Sequence, residues 1–424
     1  MKRAHVIGAG LAGLAAALHL TRAGVTVTVH EAAPHAGGRC RSFLDPVLDA
    51  VIDNGAHLML SGNDEVRAYL DLIGAAGEVV EAPRARFDFF DPADGQRWTV
   101  DLGAGRGKVN LLHALSRVKN RPPGVGAWTL MKDLGALKDG AGQTVAACVG
   151  RSCAFDVFWH PLTVAVLNAD PQEAAAEPLW RVLADTVMKG GAFARPLFTR
   201  QGLGAALIDP ALATLERLGG QVRLGQRVRA LDFALDVANG RVAGLDLGDS
   251  HEVLGGGDAA VLAVPHFAAP DLLPDLLPGV SAPRDSRAIL NVHFRLPEAD
   301  AYPPMTGLVH SDAQWVFVRG AIASVTVSAA DAWMDLDADA IAATLWADVA
   351  KALKLDGEMP PHRVIKERRA TFAQTPAALA LRPGPRTAYA NLFLAGDWTA
   401  TDLPATIEGA LKSGRLAAQA ALDG

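Results

Sequence analysis

The chain has 424 residues, of which 50% are hydrophobic and 20% are charged, and its net charge is −6. This composition excludes a disordered chain, and the acidic balance provides no basic field for binding nucleic acid. Because the length exceeds the usual limit of one hydrophobic core, about 250–300 residues, we expect two lobes.

The first 39 residues predict a dinucleotide-binding unit in which a strand, a glycine turn, a helix over residues 11–23 and a second strand follow one another. Gly8 permits the tight turn, Gly10 lets the backbone approach a pyrophosphate, and Gly13 lets the helix lie close to the strand. The helix N-terminus favours the phosphates. Glu31 ends the second strand, where its carboxylate can accept hydrogen bonds from ribose hydroxyls.

Two polar loops follow this unit. Gly37-Gly38-Arg39 allows a close backbone approach and a charge-assisted contact from Arg39 to a phosphate or flavin edge. The alternative is a surface turn with a solvated arginine. The position of Gly37-Gly38-Arg39 after the second strand favours the interpretation as a cofactor contact. The loop Asp53-Asn54-Gly55-Ala56-His57 suits contact with a flat ring. A lone histidine is usually structural, but His57 is the first candidate for a residue facing a flavin.

A change of pattern indicates a second lobe, beginning after a helix over residues 64–76. Within it, residues 107–142 combine leucines and Trp128 with six lysines and arginines, opposed only by Asp133 and Asp139. Such a segment suits contact with an anionic membrane surface. It equally suits an amphipathic helix pair that covers the substrate lobe, and the two interpretations are compatible.

The middle of the chain returns to alternating strands and helices. An apolar run over residues 258–264, stopped by Pro265, predicts a buried parallel strand. The default interpretation of Trp159 and Trp315 is packing in the core. The more specific interpretation is that they line a substrate pocket. Further predicted elements are a helix from 204 to 218, a helix over 337–353, and strands over 87–90, 97–100, 289–296, 315–318 and 324–328.

The C-terminal segment predicts the second half of the cofactor site. A buried strand ends in Gly396-Asp397, and a helix begins after Pro404. Asp397 can accept from a ribityl or ribose hydroxyl, and the new helix N-terminus can face a flavin carbonyl. Two helix N-termini from opposite ends of the chain would hold one long cofactor, which favours FAD over a mononucleotide.

These motifs together resemble the amine oxidase/phytoene desaturase superfamily of FAD proteins. Within it, residues 52–63 and Trp159-His-Pro-Leu162 resemble the squalene-associated FAD desaturases, a group now understood as hydroxysqualene dehydroxylases of bacterial hopanoid biosynthesis. Ala56 stands where many members have asparagine, which weakens a polar role for that position.

The resemblance implies an α/β fold with an α+β second lobe. A Rossmann-type, discontinuous FAD-binding domain would comprise residues 1–76, 196–265 and 386–424. A mixed substrate-binding domain would comprise residues 77–195 and 266–385, with residues 107–142 as its membrane-facing segment. The residues expected to bind FAD are Gly8, Gly10, Leu11, Ala12, Gly13, Glu31, Ala32, Gly38, Arg39, Gly55, Ala56, His57, Val228, Gly396, Asp397, Ala405, Thr406 and Ile407.

The implied reaction is the reductive dehydroxylation of hydroxysqualene, an isoprenoid, to squalene by hydride from reduced flavin. His57 is the candidate acid or orienting donor, with Asp53 or Asn54 behind it. No second nucleotide motif is apparent, so an external electron donor is expected, and no metal site is predicted. The alternatives are a phytoene desaturase-like or amine oxidase-like flavoenzyme, and a non-catalytic prenyl-lipid carrier.

The cellular location is expected to be the cytoplasm, with peripheral contact at the inner membrane. Cys40, Cys148 and Cys153 form no disulfide framework, which fits a reducing compartment. Lys2-Arg3 and the apolar stretch behind it imitate a signal peptide, but the glycine spacing explains these residues better.

Overall fold

The computed structural model describes residues 1–234, 240–273 and 282–424. Its strands are β1 Arg3–Ile7, β2 Thr26–His30, β3 Ser42–Asp45, β4 Ala50–Asp53, β5 Met59–Leu60, β6 Val79–Glu81, β7 Arg86–Phe90, β8 Arg97–Asp101, β9 Pro196–Thr199, β10 Gln221–Arg223, β11 Ala230–Ala234, β12 Arg241–Asp246, β13 His251–Val253, β14 Asp258–Leu262, β15 Ser286–Arg295, β16 Met305–Leu308, β17 Trp315–Arg319, β18 Ile322–Ser328, β19 His362–Phe372 and β20 Leu392–Leu394. Its helices are α1 Leu11–Arg22, α2 Asp64–Leu72, α3 Gly107–Ser116, α4 Ala127–Lys138, α5 Val145–Val149, α6 His160–Leu167, α7 Ala176–Asp185, α8 Asp209–Arg217, α9 Ala269–Leu272, α10 Ala338–Leu353, α11 Pro376–Ala380 and α12 Ile407–Leu422.

A five-stranded parallel sheet with the order β10-β2-β1-β14-β20 joins both ends of the chain. The predicted strand after residue 258 is confirmed, because every residue of β14 is buried between β1 and β20. Helices α1 and α12 pack against each other beside this sheet. The predicted Rossmann-type α/β arrangement is therefore present.

A seven-stranded sheet with the order β19-β15-β18-β17-β16-β7-β8 forms the second lobe. Its strands are antiparallel except for the parallel pair of β7 with β16. Because strand side chains alternate between faces, Leu290, Val292 and Phe294 of β15 pack with α10, whereas Ile289 and Asn291 face the other way. A second core on this other side includes the buried faces of α3, α4 and α7.

Several element bounds differ from those expected. Helix α2 ends at Leu72 rather than residue 76, because the chain turns at Gly74, where φ is +70°. Strands β16 and β19 were not predicted from the sequence. All strands of the parallel sheet fall in the segments assigned to the FAD-binding domain, but β6 pairs with β9, so a small sheet crosses the expected boundary after residue 76.

Candidate cofactor and active site

One cavity of about 1160 Å³ is lined by residues of both sheets and of the helices that cover them. Every residue expected to bind FAD lines it except Gly13, and so do the two tryptophans expected in the substrate pocket. At the lobe end its walls are mainly apolar, including Phe87, Phe89, Leu115, Leu130, Leu134 and Phe317. The cavity thus combines a polar end near the glycine turn with an apolar end.

The glycine turn leaves no space for a side chain at Gly8 or Gly13, whereas Gly10 faces open space in the cavity. At Gly8 φ is +110°, and an added Cβ atom would lie 2.7 Å from the Ala263 carbonyl oxygen. At Gly13 it would lie 1.9 Å from the Gly8 carbonyl oxygen, which explains why this glycine packs behind the turn and does not line the cavity. The first turn of α1 has no acidic residue and no side-chain cap, so its N–H groups suit a pyrophosphate.

Glu31 fixes the turn as well as edging the cavity. Its Oε2 atom accepts a hydrogen bond from the Ala9 amide at 2.8 Å, and its Oε1 atom accepts one from the Ala33 amide at 2.8 Å. A carboxylate oxygen has two lone pairs, so each oxygen retains acceptor capacity for a ribose hydroxyl.

Arg39 and Asp397 meet at the cavity from opposite ends of the sequence. The Arg39 Nη1 atom lies 2.8 Å from Asp397 Oδ2 and also donates to the Ala370 carbonyl oxygen. Burial opposes the charge of Arg39, but Asp397 compensates, and the pKa of Arg39 is raised above its ordinary value. The nearby helix α12 begins at Ile407 and is capped by Thr406, whose Oγ1 accepts from the Gly409 amide at 3.1 Å.

These residues fit FAD. A glycine turn that a Cβ atom would fill, a carboxylate at the end of β2 and a second helix start line the same long cavity. Gly8, Gly10 and Glu31 would hold the adenosine and pyrophosphate, whereas Asp397 and Thr406 belong to the other end.

His57 faces the cavity and is uncharged at neutral pH. The exposed part of its ring lies in the cavity wall. The surrounding protein atoms keep water from the rest of the ring, which lowers the pKa of His57 to about 4, and the positive charge of Arg39 lowers the pKa as well. Within the described ranges its ring nitrogens have no hydrogen-bond partner, so they are available to a ligand. A neutral imidazole donates a hydrogen bond but is a weak proton donor.

Asp53, the residue expected behind His57, does not line the cavity. Its Oδ2 atom pairs with Arg319 Nη1 at 2.6 Å, and its Oδ1 atom accepts from the Ser42 hydroxyl and, at 2.8 Å, from the Leu203 amide. This carboxylate anchors the loop, and it acts on His57 only by opposing the fall in its pKa.

Three polar residues on the seven-stranded sheet face this loop and were missed by sequence reasoning. Thr326 Oγ1 donates to Asn291 Oδ1 at 2.8 Å, and the side-chain Nδ2 of Asn54 donates to Glu367 Oε2 at 3.4 Å. A Cβ atom on Gly55 would lie 2.8 Å from Asn291 Nδ2, so the loop touches the sheet here. A polar residue inside a buried apolar strand, such as Asn291, was the available signal.

Trp159 and Trp315 line the apolar end of the cavity in different ways. Trp159 is buried, and its Nε1 atom donates to Asp133 Oδ2 at 2.7 Å. The Trp315 ring packs edge-on against Phe89, with ring centroids 5.5 Å apart. Trp398 is different, because it is fully buried behind the cavity, where its Nε1 atom donates to the Val264 carbonyl oxygen at 2.9 Å.

The chain matches the family model for flavin containing amine oxidoreductase over residues 11–422. It is 42% identical to a hydroxysqualene dehydroxylase of Sinorhizobium fredii, an alignment that covers 99% of this chain and 98% of that protein. It is 43% identical to a hydroxysqualene dehydroxylase of Rhodopseudomonas palustris, over 99% and 98% of the two chains. An oxidoreductase structure from Methanosarcina mazei has the same fold, with a TM-score of 0.70, 15% identity and complete coverage of both chains.

In the described part of the chain, no helix combines the length and hydropathy needed to cross a bilayer. The family match, the full-length relatives and the geometry of the cavity agree with one another. The chain is an FAD-dependent oxidoreductase that belongs to the flavin-containing amine oxidoreductase family and, within it, to the hydroxysqualene dehydroxylases.

Proposed function

We propose that this protein converts 12-hydroxysqualene to squalene with electrons from FAD reduced by an external donor. The observation that carries the proposal is the contrast within the cavity, where the apolar walls of the lobe end, suited to a long isoprenoid, adjoin a polar patch beside the loop 53–57. A substrate with a single hydroxyl on a hydrocarbon chain matches that distribution. The names of the relatives support the same substrate class.

The residues of the chain have three tasks in this reaction. The substrate is an allylic alcohol, so departure of its hydroxyl as water leaves a resonance-stabilised cation, and bound reduced FAD supplies the hydride that completes the product. The apolar side chains hold the hydrocarbon and exclude water from the cation. Asn54 and the neutral ring of His57 offer hydrogen bonds that orient the hydroxyl, and Asp53 holds their loop through Arg319.

The alternative functions have less support. An aromatic cage for an amine would be expected beside the flavin, but Trp398 is buried behind the cavity. A carrier has no need of the Arg39–Asp397 pair or of the glycine turn. The place of this activity in hopanoid biosynthesis stays a prediction from the resemblance.

We also propose peripheral contact with an anionic membrane through the outer faces of α3, the turn after it and α4. The side chains of Val109, Val118 and Trp128 are about 80% exposed there, at 80%, 78% and 82% respectively. Lys108, Arg117, Lys119 and Lys132 are exposed around them. Because Leu115, Leu130 and Leu134 on the inner faces of the same helices line the cavity, contact here would bring an isoprenoid in the bilayer next to the site.

The decisive experiment is anaerobic incubation of dithionite-reduced enzyme with 12-hydroxysqualene, followed by product analysis. We expect one squalene for each FAD that is reoxidised. Reoxidation without squalene, or no reaction at all, would contradict the proposal. Efficient stoichiometric oxidation of NADPH by the isolated protein would contradict the external donor.

A further inference from the structure

The polar patch of the cavity contains a carboxyl group whose role remains open. Glu367 lies on β19 opposite Ile289 of β15, and both side chains line the cavity. The side-chain Nδ2 of Asn54 lies 3.4 Å from Glu367 Oε2, so this carboxyl group adjoins the loop that carries His57. Asn291 and Thr326 continue the same polar patch on the neighbouring strands.

The other groups near the reacting end are committed elsewhere. Asp397 is paired with Arg39, and Asp53 is paired with Arg319 outside the cavity. Glu31 belongs to the glycine turn at the opposite end.

Two further groups also fail as proton donors. His57 is already neutral, and its loss of a proton would leave an imidazolate. Glu408, although its pKa is raised to about 7, is held at the start of α2, where both carboxyl oxygens accept hydrogen bonds from the amides of Glu65 and Val66, and not in the polar patch beside the loop 53–57. Among the residues the structure describes, Glu367 forms no ion pair, so no salt bridge holds its carboxyl group. The positive groups Arg39, whose pKa Glu367 helps to raise, and Arg369, two residues further along β19, line the same cavity.

We propose that Glu367 is the catalytic acid of the dehydroxylation, and that Asn54 positions its carboxyl group. The inference rests on the proposed function. The C–O bond breaks as Glu367 gives its proton to the departing oxygen, which leaves as water. The hydride, which carries the two electrons of the reduction, would come from the reduced FAD already named. The substrate thus loses hydroxide and gains hydride, and Glu367 regains a proton from solvent.

The surroundings of Glu367 suit both stages of this step. A hydrocarbon that fills the apolar cavity excludes water from the carboxyl group and from the departing oxygen. After proton transfer, the new carboxylate lies beside the allylic cation and stabilises it in a site of low polarity. One residue thereby serves as acid and then as counterion.

The first test compares Glu367→Gln and Glu367→Asp with Glu358→Gln, a matched change of an exposed glutamate that does not line the cavity. FAD content and squalene affinity are measured before single-turnover formation of squalene by the anaerobically reduced enzymes. We expect Glu367→Gln to lose at least about a hundredfold in rate with both binding properties kept, and Glu367→Asp to recover part of that loss. Wild-type-like turnover of Glu367→Gln would overturn the inference.

Two further measurements test the inference, and the first uses the unmodified enzyme, so it holds even if the variants fold poorly. The unmodified enzyme should slow as pH rises, because the acid form is consumed, whereas a rate that increases with pH would exclude Glu367 as a proton donor. A squalene analogue with an ammonium nitrogen in place of carbon 12 should bind oxidised Glu367→Gln at least about tenfold more weakly than wild type, while squalene binds both equally. Equal binding of the analogue would place Glu367 away from the cation. If unmodified enzyme forms no squalene, the proposed function itself fails.

Discussion

Arg39 and Asp397 form an ion pair of 2.8 Å that joins the segment after β2 to the segment after β20 at the wall of the cavity. The side chain of Asp397 is 6% exposed, so without Arg39 its carboxylate would be buried with no ion-pair partner. The pair therefore links cofactor retention to the closure of a domain built from both ends of the chain.

We expect Arg39→Ala to lose FAD and to lower the melting temperature, because it leaves a buried carboxylate unpaired, a change that costs about 3–5 kcal/mol in other proteins. The flavin-to-protein ratio and thermal unfolding measure the two effects. Arg84→Ala is a suitable control, since Arg84 pairs with Asp101 at an exposed position. Full FAD content in Arg39→Ala would show that the pair does not hold the cofactor site together.

His57→Ala should reduce turnover by about a hundredfold while FAD stays bound, because loss of the orienting hydrogen bond misplaces the hydroxyl, and a misplacement of about 1 Å can cost about that much. His57→Asn, which keeps a donor, should be less affected. His251→Ala, on the exposed strand β13, provides the control. Wild-type turnover by His57→Ala would remove His57 from the reaction.

The stability of the protein should carry a pH dependence from Glu408. Burial raises the pKa of this folded-state carboxyl group to about 7 from 4.5. The unfolded chain releases the proton near 4.5, so the contribution of Glu408 to stability is complete below that pH and is lost as pH rises to about 7.

Denaturant unfolding of wild type and Glu408→Gln is measured between pH 4.5 and about 7, and the contribution of Glu408 is the difference between their free energies of unfolding. Both proteins contain His5, His57, His266 and His293, so the effect of these histidines on stability cancels in the difference. Their folded-state pKa values of about 4 make the free energy of unfolding fall as pH drops below 6.5, which is the opposite of the effect of Glu408. We expect the wild type to lose on the order of 1–2 kcal/mol relative to Glu408→Gln across the window. Parallel pH profiles would contradict the raised pKa.

Trp128→Ser should weaken flotation with anionic liposomes, because it removes the most exposed aromatic ring of the proposed membrane surface. Added salt should weaken binding of the wild type as well, since the surrounding lysines and arginines are exposed. Val253→Ser changes an apolar side chain that is 66% exposed on β13 and should leave flotation unchanged. Absence of wild-type flotation would count against membrane contact altogether.

Gly414→Ala should destabilise the contact between α1 and α12. An added Cβ atom would lie 2.2 Å from the Ala12 carbonyl oxygen, so the helices must separate, at a cost of about 1–3 kcal/mol or more. Gly135→Ala, inside α4 with nothing within 4 Å, should instead stabilise by about 0.5–1 kcal/mol. Denaturant midpoints compare them, and a neutral Gly414→Ala would contradict the close packing.

The local elements at both ends of the chain were predictable because their signals are local. The glycine spacing after β1 dictates a turn and a helix start, and the apolar run of β14 predicts a buried parallel strand. The two helices within residues 107–142 follow from the same kind of pattern. The exposed position of Trp128 could not be inferred, because periodicity identifies the apolar face of a helix but not which other element packs against that face.

The amino-acid sequence by itself determined the cofactor class and the α/β fold, because both depend on short-range backbone geometry, whereas the individual residues along the FAD path stay a prediction. Only the tertiary structure decided which polar groups meet at the reacting end. Asp53 pairs with Arg319, 266 residues away, and Asn54 meets Glu367, 313 residues away, on a strand that the sequence did not reveal. Such pairs form where two sheets face each other. The hydrophobic period of the sequence describes only neighbouring residues, so it does not predict contacts between residues hundreds of positions apart.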